Sequence, residues 1–334
     1  MASVVAAAGT SHGPMLSISP AQWDCFTETD PFNQELYDAS GMRHSYAELA
    51  RSRGPALEPR LLTPRWSASY SRWQEEISEL SGLITDVAPD FVVVIGNDQR
   101  ETMFNDNQPA VLVHVGESLP NAAFESQEKA ERRARSRVRA LSEWAYSPAA
   151  AAEYPGAPDF AGHLVRILLG AGFDPAVTTT WPGNRSVGHA FGFVYERLLG
   201  QLAIPSVAIA LNTFYPPNQP TAARCAELGT VLHDAIRQYD SGARVAVIAS
   251  GGLSHHLVNE DLDATVVDAL RRGDLDALAG LPSTALLGGS SEIRNWIAMA
   301  PSALGLSLRI DHYEACYRNA AGIGNGMGFF GWSA

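Results

Sequence analysis

Lysine is almost missing from this chain. Of the 24 basic residues among 334, only Lys129 is a lysine and the rest are arginines, so Schiff-base chemistry has Lys129 or nothing to use. Cysteine is scarce too. Cys25, Cys225 and Cys316 are too few and too scattered for a disulfide framework or a paired-cysteine metal site. No apolar run reaches the length of a membrane span. The stretch Val4–Ala8 has no basic segment before it and is shorter than a signal-peptide core, so we expect a cytoplasmic protein. Positive charge is in deficit, with 36 acidic residues against 24 basic ones and a net charge of −12. That balance argues against nucleic acid, which is bound by neutralising phosphates, and against an anionic membrane surface. There is no Walker A sequence, no G-x-S-x-G elbow and no H-E-x-x-H pair. The glycine-rich run Gly322–Gly328 has no long helix after it and is not a dinucleotide fingerprint.

What is present is a chain able to build a large core, 46% hydrophobic and 18% charged. Short β-branched runs alternate with helical periodicity. Strands are expected at Ser3–Ala8, Phe91–Ile95, Ala110–Val115, Ala176–Thr180, Ser206–Leu211 and Arg244–Ala249. Helices are expected at Tyr70–Val87, Gln127–Ser142, Asp159–Gly170, Val187–Leu202, Thr221–Tyr239, Asp261–Arg272 and Ser291–Met299. The pattern predicts an α/β fold, one domain over 1–334, with a mixed sheet flanked by helices. Residues 17–64 read as a lid or subunit-contact excursion and Glu143–Pro158 as a loop. The arginines at 132, 133, 135, 137 and 139 share one expected helix with Glu128 and Glu131, and read as a solvated face.

The informative residues follow the strands, where an open α/β sheet forms its ligand crevice. Ser3–Ala8 leads into Ser11-His12-Gly13-Pro14, and Phe91–Ile95 into Gly96-Asn97-Asp98-Gln99. Ser206–Leu211 leads into Asn212 and Tyr215, and Arg244–Ala249 into Gly251-Gly252-Leu253-Ser254-His255-His256. Near Gly288–Trp296, Ser290 or Ser291 can cap a helix, placing Glu292 in its first turn, where the dipole favours a carboxylate. An ionised Glu with one or two neutral imidazoles is the donor chemistry of an open non-haem iron site. The plainer reading makes Glu292 a helix-start residue and turns one of His255 and His256 to solvent. His189 sits at an expected helix start. Arg294 reads as an exposed helix arginine.

Taken in order, Ser11–Pro14, Gly96–Asp98, Tyr215-Pro216-Pro217, Ser250–His255 and Ser291-Glu292 resemble the class III extradiol ring-cleavage dioxygenases, typified by the β subunit of protocatechuate 4,5-dioxygenase. The chain's length is more similar to the 3-O-methylgallate dioxygenase branch. The resemblance implies an Fe(II) enzyme that opens a small aromatic diol with O2 and works as a homo-oligomer, without nucleic acid or membrane. It implies His12 and Glu292 as iron ligands, His255 as the acid/base and His189 as a contact to a substrate hydroxyl. Asn212 and Tyr215 would touch substrate, with Asn97 and Asp98 orienting the ligands. The family's second iron-binding histidine follows the Asn-Asp pair, and here Gln99 stands in its place. Gln99 could ligate through oxygen, His44 could move in, or the metal site could be altered. A metal-poor binding or accessory protein and a Zn2+ hydrolase on the same ligands are the competing functions.

Overall fold

The computed structural model describes residues 1–182, 185–200 and 202–334. Its eleven strands are β1 (Ser3–Thr10), β2 (Phe91–Asn97), β3 (Val111–His114), β4 (Ser118–Asn121), β5 (Ala152–Pro155), β6 (Ala176–Thr178), β7 (Ser206–Leu211), β8 (Arg244–Ser250), β9 (His255–Leu257), β10 (Ser307–Tyr317) and β11 (Ile323–Ser333). Nine form one mixed sheet in the order β10-β11-β1-β8-β2-β7-β3-β6, with β9 on β11. The centre, β1-β8-β2-β7, is parallel, and β11 runs antiparallel to β1, β9 and β10. The sheet is mixed α/β as its alternating strands and helices predict.

Strand residues alternate between two cores, as side chains on a pleat must. Val93, Ile95, Val207, Ile209, Val245 and Val247 face the helices Pro158–Gly170, Ala222–Gln238 and Ile293–Met299. Val92, Val94, Ala208, Ala210, Ala246 and Ile248 face Thr63–Val87 and His189–Phe193. Burial on both faces explains why these strands read as unbroken apolar runs.

The remaining differences have local causes. Gln127–Ser142 is two short helices, Gln127–Arg133 and Arg137–Ser142, because Ser136 caps the second by accepting from the Arg139 N–H. Residues 143–158 are not all loop, since Ala152–Pro155 pairs with Ser118–Asn121. Residues 17–64 hold a helix, Tyr46–Leu57, started by a reciprocal Ser45/Glu48 capping box. Trp23 and Phe26 of this segment are buried in the core beside Trp73. No helix among the described residues is long and apolar enough to cross a membrane.

Candidate metal centre

Three adjacent parallel strands, β1, β8 and β2, end side by side, so residues far apart in sequence meet beyond their carboxyl ends. A cavity of about 510 Å³ opens there, and His12, Gln99, Glu101, Arg139, His189, His255, His256 and Glu292 are among its lining residues.

Glu292 is the hub, with its side chain 1% exposed. One oxygen, Oε1, accepts from Asn97 Nδ2 at 3.1 Å and Gln99 Nε2 at 2.9 Å. The other, Oε2, accepts the Gly252 N–H at 2.8 Å and faces His12 Nε2 at 3.4 Å and His255 Nε2 at 3.5 Å. Burial alone would raise its pKa, but His12, His255 and His189 around it hold it well below the carboxylate range. Ser290 and Ser291 do not cap the following helix, contrary to the sequence reading. A 3-10 turn over Gly288–Glu292 puts Glu292 itself at the N-cap of Ile293–Met299 and frees its carboxylate for the site.

The tautomers of two histidines follow from their partners. Ser250 Oγ gives its one proton to the Ala190 carbonyl at 2.6 Å, so it can only accept from His12 Nδ1 at 2.9 Å. His255 Nδ1 lies 2.9 Å from the Leu253 carbonyl, which also only accepts. Both rings therefore carry a proton on Nδ1 and turn Nε2 toward Glu292. Two imidazole nitrogens aimed at one carboxylate oxygen converge on a point that suits a cation, whether a proton on a ring or a metal ion. His12 is fully enclosed, and burial lowers its pKa although Glu292 works the other way.

His189 opens a helix, and its ring stands edge-on to His12 with centroids 4.6 Å apart. Its Nδ1 and its backbone N–H both meet Glu101 Oε2, at 2.6 and 2.9 Å. Glu101 is buried, which would raise its pKa, yet His189, Arg132 and Arg139 bring it down to about 2. Burial lowers the His189 pKa, and Glu101 outweighs that to raise it. Donor atoms of His12, His189 and Glu292 all lie within 4.8 Å of one another.

Other sequence-picked residues lie elsewhere. Asp98 binds its own loop, accepting from the backbone of Glu101, Thr102 and Met103. Asn97 does meet Glu292, and is itself held by Asn295 at 3.0 Å. Asn212 donates to the Tyr215 carbonyl and Asn218 and accepts from the Tyr215 N–H, so it ties its own turn together. The Tyr215 ring stacks under Arg100 at 4.2 Å. Neither Asn212 nor Tyr215 lines the cavity. His44 pairs with Asp38 at 2.8 Å and is also away from the lining.

Three expectations are corrected. His256 does not turn to solvent: it lines the cavity with His255, and burial, reinforced by His255 and Arg318, pulls its pKa down to about 3. Arg294 is 2% exposed and donates to the carbonyls of Pro220, Thr213 and Leu286, because its helix packs into the core. The arginine row is not wholly solvated. Arg132 and Arg139 reach Glu101 at 3.5 and 3.9 Å, and Arg133 reaches buried Glu143 at 3.5 Å. Glu101 and Arg139 are the functional candidates that the sequence reading missed. Their one visible signal was Glu101's place two residues after Gln99, in the loop that leaves β2.

Comparison with known proteins places the chain in a family. Residues 63–319, well over half of the chain, match the family of the catalytic LigB subunit of aromatic ring-opening dioxygenase, and the chain belongs to that family. Among curated proteins it is similar to gallate dioxygenase of Pseudomonas putida, at 34% identity over 94 residues. That match covers 24% of this chain and 26% of the relative, about a quarter of the relative's length.

Proposed function

We propose that this protein is an Fe(II)-dependent extradiol dioxygenase, a single catalytic domain that opens a catecholic or gallate-type aromatic acid with O2. The observation that carries the reading is the donor set itself. The imidazole nitrogens of His12 and His255 and an ionised, buried carboxylate converge beside an open cavity. Donors of that mix, with free positions on the cavity side, suit non-haem Fe(II). The three cysteines are free and buried and none lines the cavity, so thiolate chemistry has no part in it. His12 and Glu292 would hold the ion. When bound, Fe(II) supplies a template that keeps the diol and O2 adjacent and an electron path between them.

The chain's own residues do the rest. His255 Nε2, left facing the site because its other nitrogen is pinned to the Leu253 carbonyl, takes the proton of a substrate hydroxyl and can return it on the same face. Asn97 and Gln99 fix the carboxylate plane of Glu292 by donating to Oε1, so Oε2 stays turned to the imidazoles. Phe26, Pro14 and Val138 give the cavity an apolar part of its wall, suited to an aromatic ring.

The test is O2 uptake by anaerobically Fe(II)-loaded protein with gallate, 3-O-methylgallate, protocatechuate and catechol, alongside a Zn2+-loaded control. Uptake matched to a ring-opened chromophore is expected with iron alone. His255→Gln should keep iron and lose ~10²–10⁴-fold in kcat. No uptake with any of the four by protein shown to hold iron would end this reading.

A further inference from the structure

We propose that His189, not Gln99, is the third protein ligand of the metal, with Glu101 as the carboxylate that positions it. This inference rests on the metal-dependent reading above and departs from the hydroxyl-contact role that the resemblance implies for His189. Four observations carry it. First, among the histidines, cysteines and carboxylates of the described residues, His189 is the one whose donor atom falls with those of His12 and Glu292 within 4.8 Å. Second, Glu101 Oε2 takes both the Nδ1 side of the ring and the backbone N–H of His189, at 2.6 and 2.9 Å. That clamp fixes the ring and leaves Nε2 as its binding nitrogen. A carboxylate behind an imidazole is the usual brace of a metal-bound histidine, setting its tautomer and strengthening it as a donor.

Third, the clamp is built into the backbone. A Cβ on Gly188 would lie 2.6 Å from Glu101 Oε2, so a side chain there would push the carboxylate off His189. Fourth, Gln99 is engaged elsewhere. Its Nε2 donates to Glu292 Oε1 at 2.9 Å, and because a carboxylate only accepts, the amide must present its NH2 end to the site's anion. Gln99 thus serves the metal by steadying Glu292. The site keeps two imidazoles and one carboxylate although the residue after the Asn-Asp pair is not histidine. Arg132 and Arg139, beside Glu101, balance the second buried carboxylate.

The test uses full-length protein stripped of metal and titrated anaerobically with Co2+, whose visible absorption reports the ligand set, and with Fe2+ for stoichiometry. His189→Ala should weaken Co2+ binding ~100-fold or more, as His12→Ala does, and change the visible spectrum. Glu101→Gln should weaken it ~10–100-fold. Gln99→Ala should change affinity less than ~5-fold and leave the spectrum as in wild type. Added imidazole should restore the spectrum in His189→Gly. Circular dichroism establishes which variants fold, and if His189 variants do not, Gln99→Ala still decides. Loss of Co2+ in Gln99→Ala, or wild-type binding in a folded His189→Ala, overturns the proposal while leaving the dioxygenase reading intact. Wild-type protein that binds neither ion overturns both.

Discussion

At the residue scale, the same side-chain type has different duties according to what its far end touches. Of the two arginines that line the cavity, Arg318 is committed: it makes a two-pronged pair with Asp30, at 2.8 and 2.7 Å. Arg139 is held more loosely, by a 3.9 Å ion pair from Nη1 to Glu101 with no hydrogen bond to that atom among the described residues. A planar donor with hydrogen-bonding capacity to spare in the cavity wall suits an aromatic carboxylate. Arg139→Met keeps the aliphatic stem and removes that donor. We expect kcat/KM for protocatechuate or gallate to fall ~10–100-fold, the worth of a charged hydrogen bond, through KM. Catechol, which has no carboxylate, should be affected far less. Any indirect effect through Glu101 acts on both substrates and cancels in the ratio, so an equal loss on catechol would remove Arg139 from substrate binding.

At the scale of elements, the helix Glu260–Arg272 is joined to the site by one carboxylate. Asp263 accepts from the Ser254 N–H and hydroxyl at 2.7 and 2.6 Å and from the Tyr313 hydroxyl at 2.8 Å. It thereby ties that helix and β10 to the turn that carries His255. Burial raises its pKa to about 6, against the hydrogen bonds that lower it. A folded pKa above the unfolded one means the folded chain binds the proton more tightly. The stabilisation from that proton is complete below about pH 4 and is lost as pH rises through 6, a swing of about 3 kcal/mol by the usual linkage. In urea unfolding, wild type minus Asp263→Asn should therefore decline between pH 4 and 7. A difference that is flat with pH would show that Asp263 stays charged.

The same turn shows what the sequence made legible. Strands ending in Ser-His, Gly-Asn-Asp and Gly-Gly-Leu-Ser-His could be placed because an apolar run stopping at small and polar residues has few other meanings in a parallel sheet. The partners β10 and β11 could not. Glycines at 324, 326 and 328 have no side chain to mark a strand, yet they sit in a buried one where a Cβ would collide with the Cys316 carbonyl or Asp263 or crowd Leu253. Those collisions exist only once distant elements are packed. Glu101 escaped for the same reason: nothing in its spacing says that Arg132 and Arg139 will arrive from another element to keep it ionised.

For the molecule as a whole, the site depends on a sheet whose neighbouring strands come from opposite ends of the chain, so local loosening and global unfolding can be separated only with a probe remote from the cavity. The single lysine is that probe. Lys129 is 2% exposed, and its Nζ donates to Asn121 Oδ1 at 2.6 Å and Ser147 Oγ at 2.7 Å, binding its helix to β4. It does not line the cavity. Burial, opposed by nearby Glu143, lowers its pKa to about 8, so at pH 8.5 much of it is neutral and nucleophilic. Protection from an acylating reagent then reflects enclosure rather than charge. In native protein Lys129 should react at least ~10³-fold more slowly than the side-chain amine of added Nα-acetyl-lysine, reached only through opening near the global stability. In urea Lys129 should react at the rate of the side-chain amine of free Nα-acetyl-lysine, and its midpoint should match that of circular dichroism. Metal loading should slow Lys129 labelling further, because a ligand that binds only the folded state shifts the whole equilibrium. Native labelling of Lys129 at the rate of a free amine would show that the β4 region opens independently of the sheet, and the metal would then leave that rate unchanged.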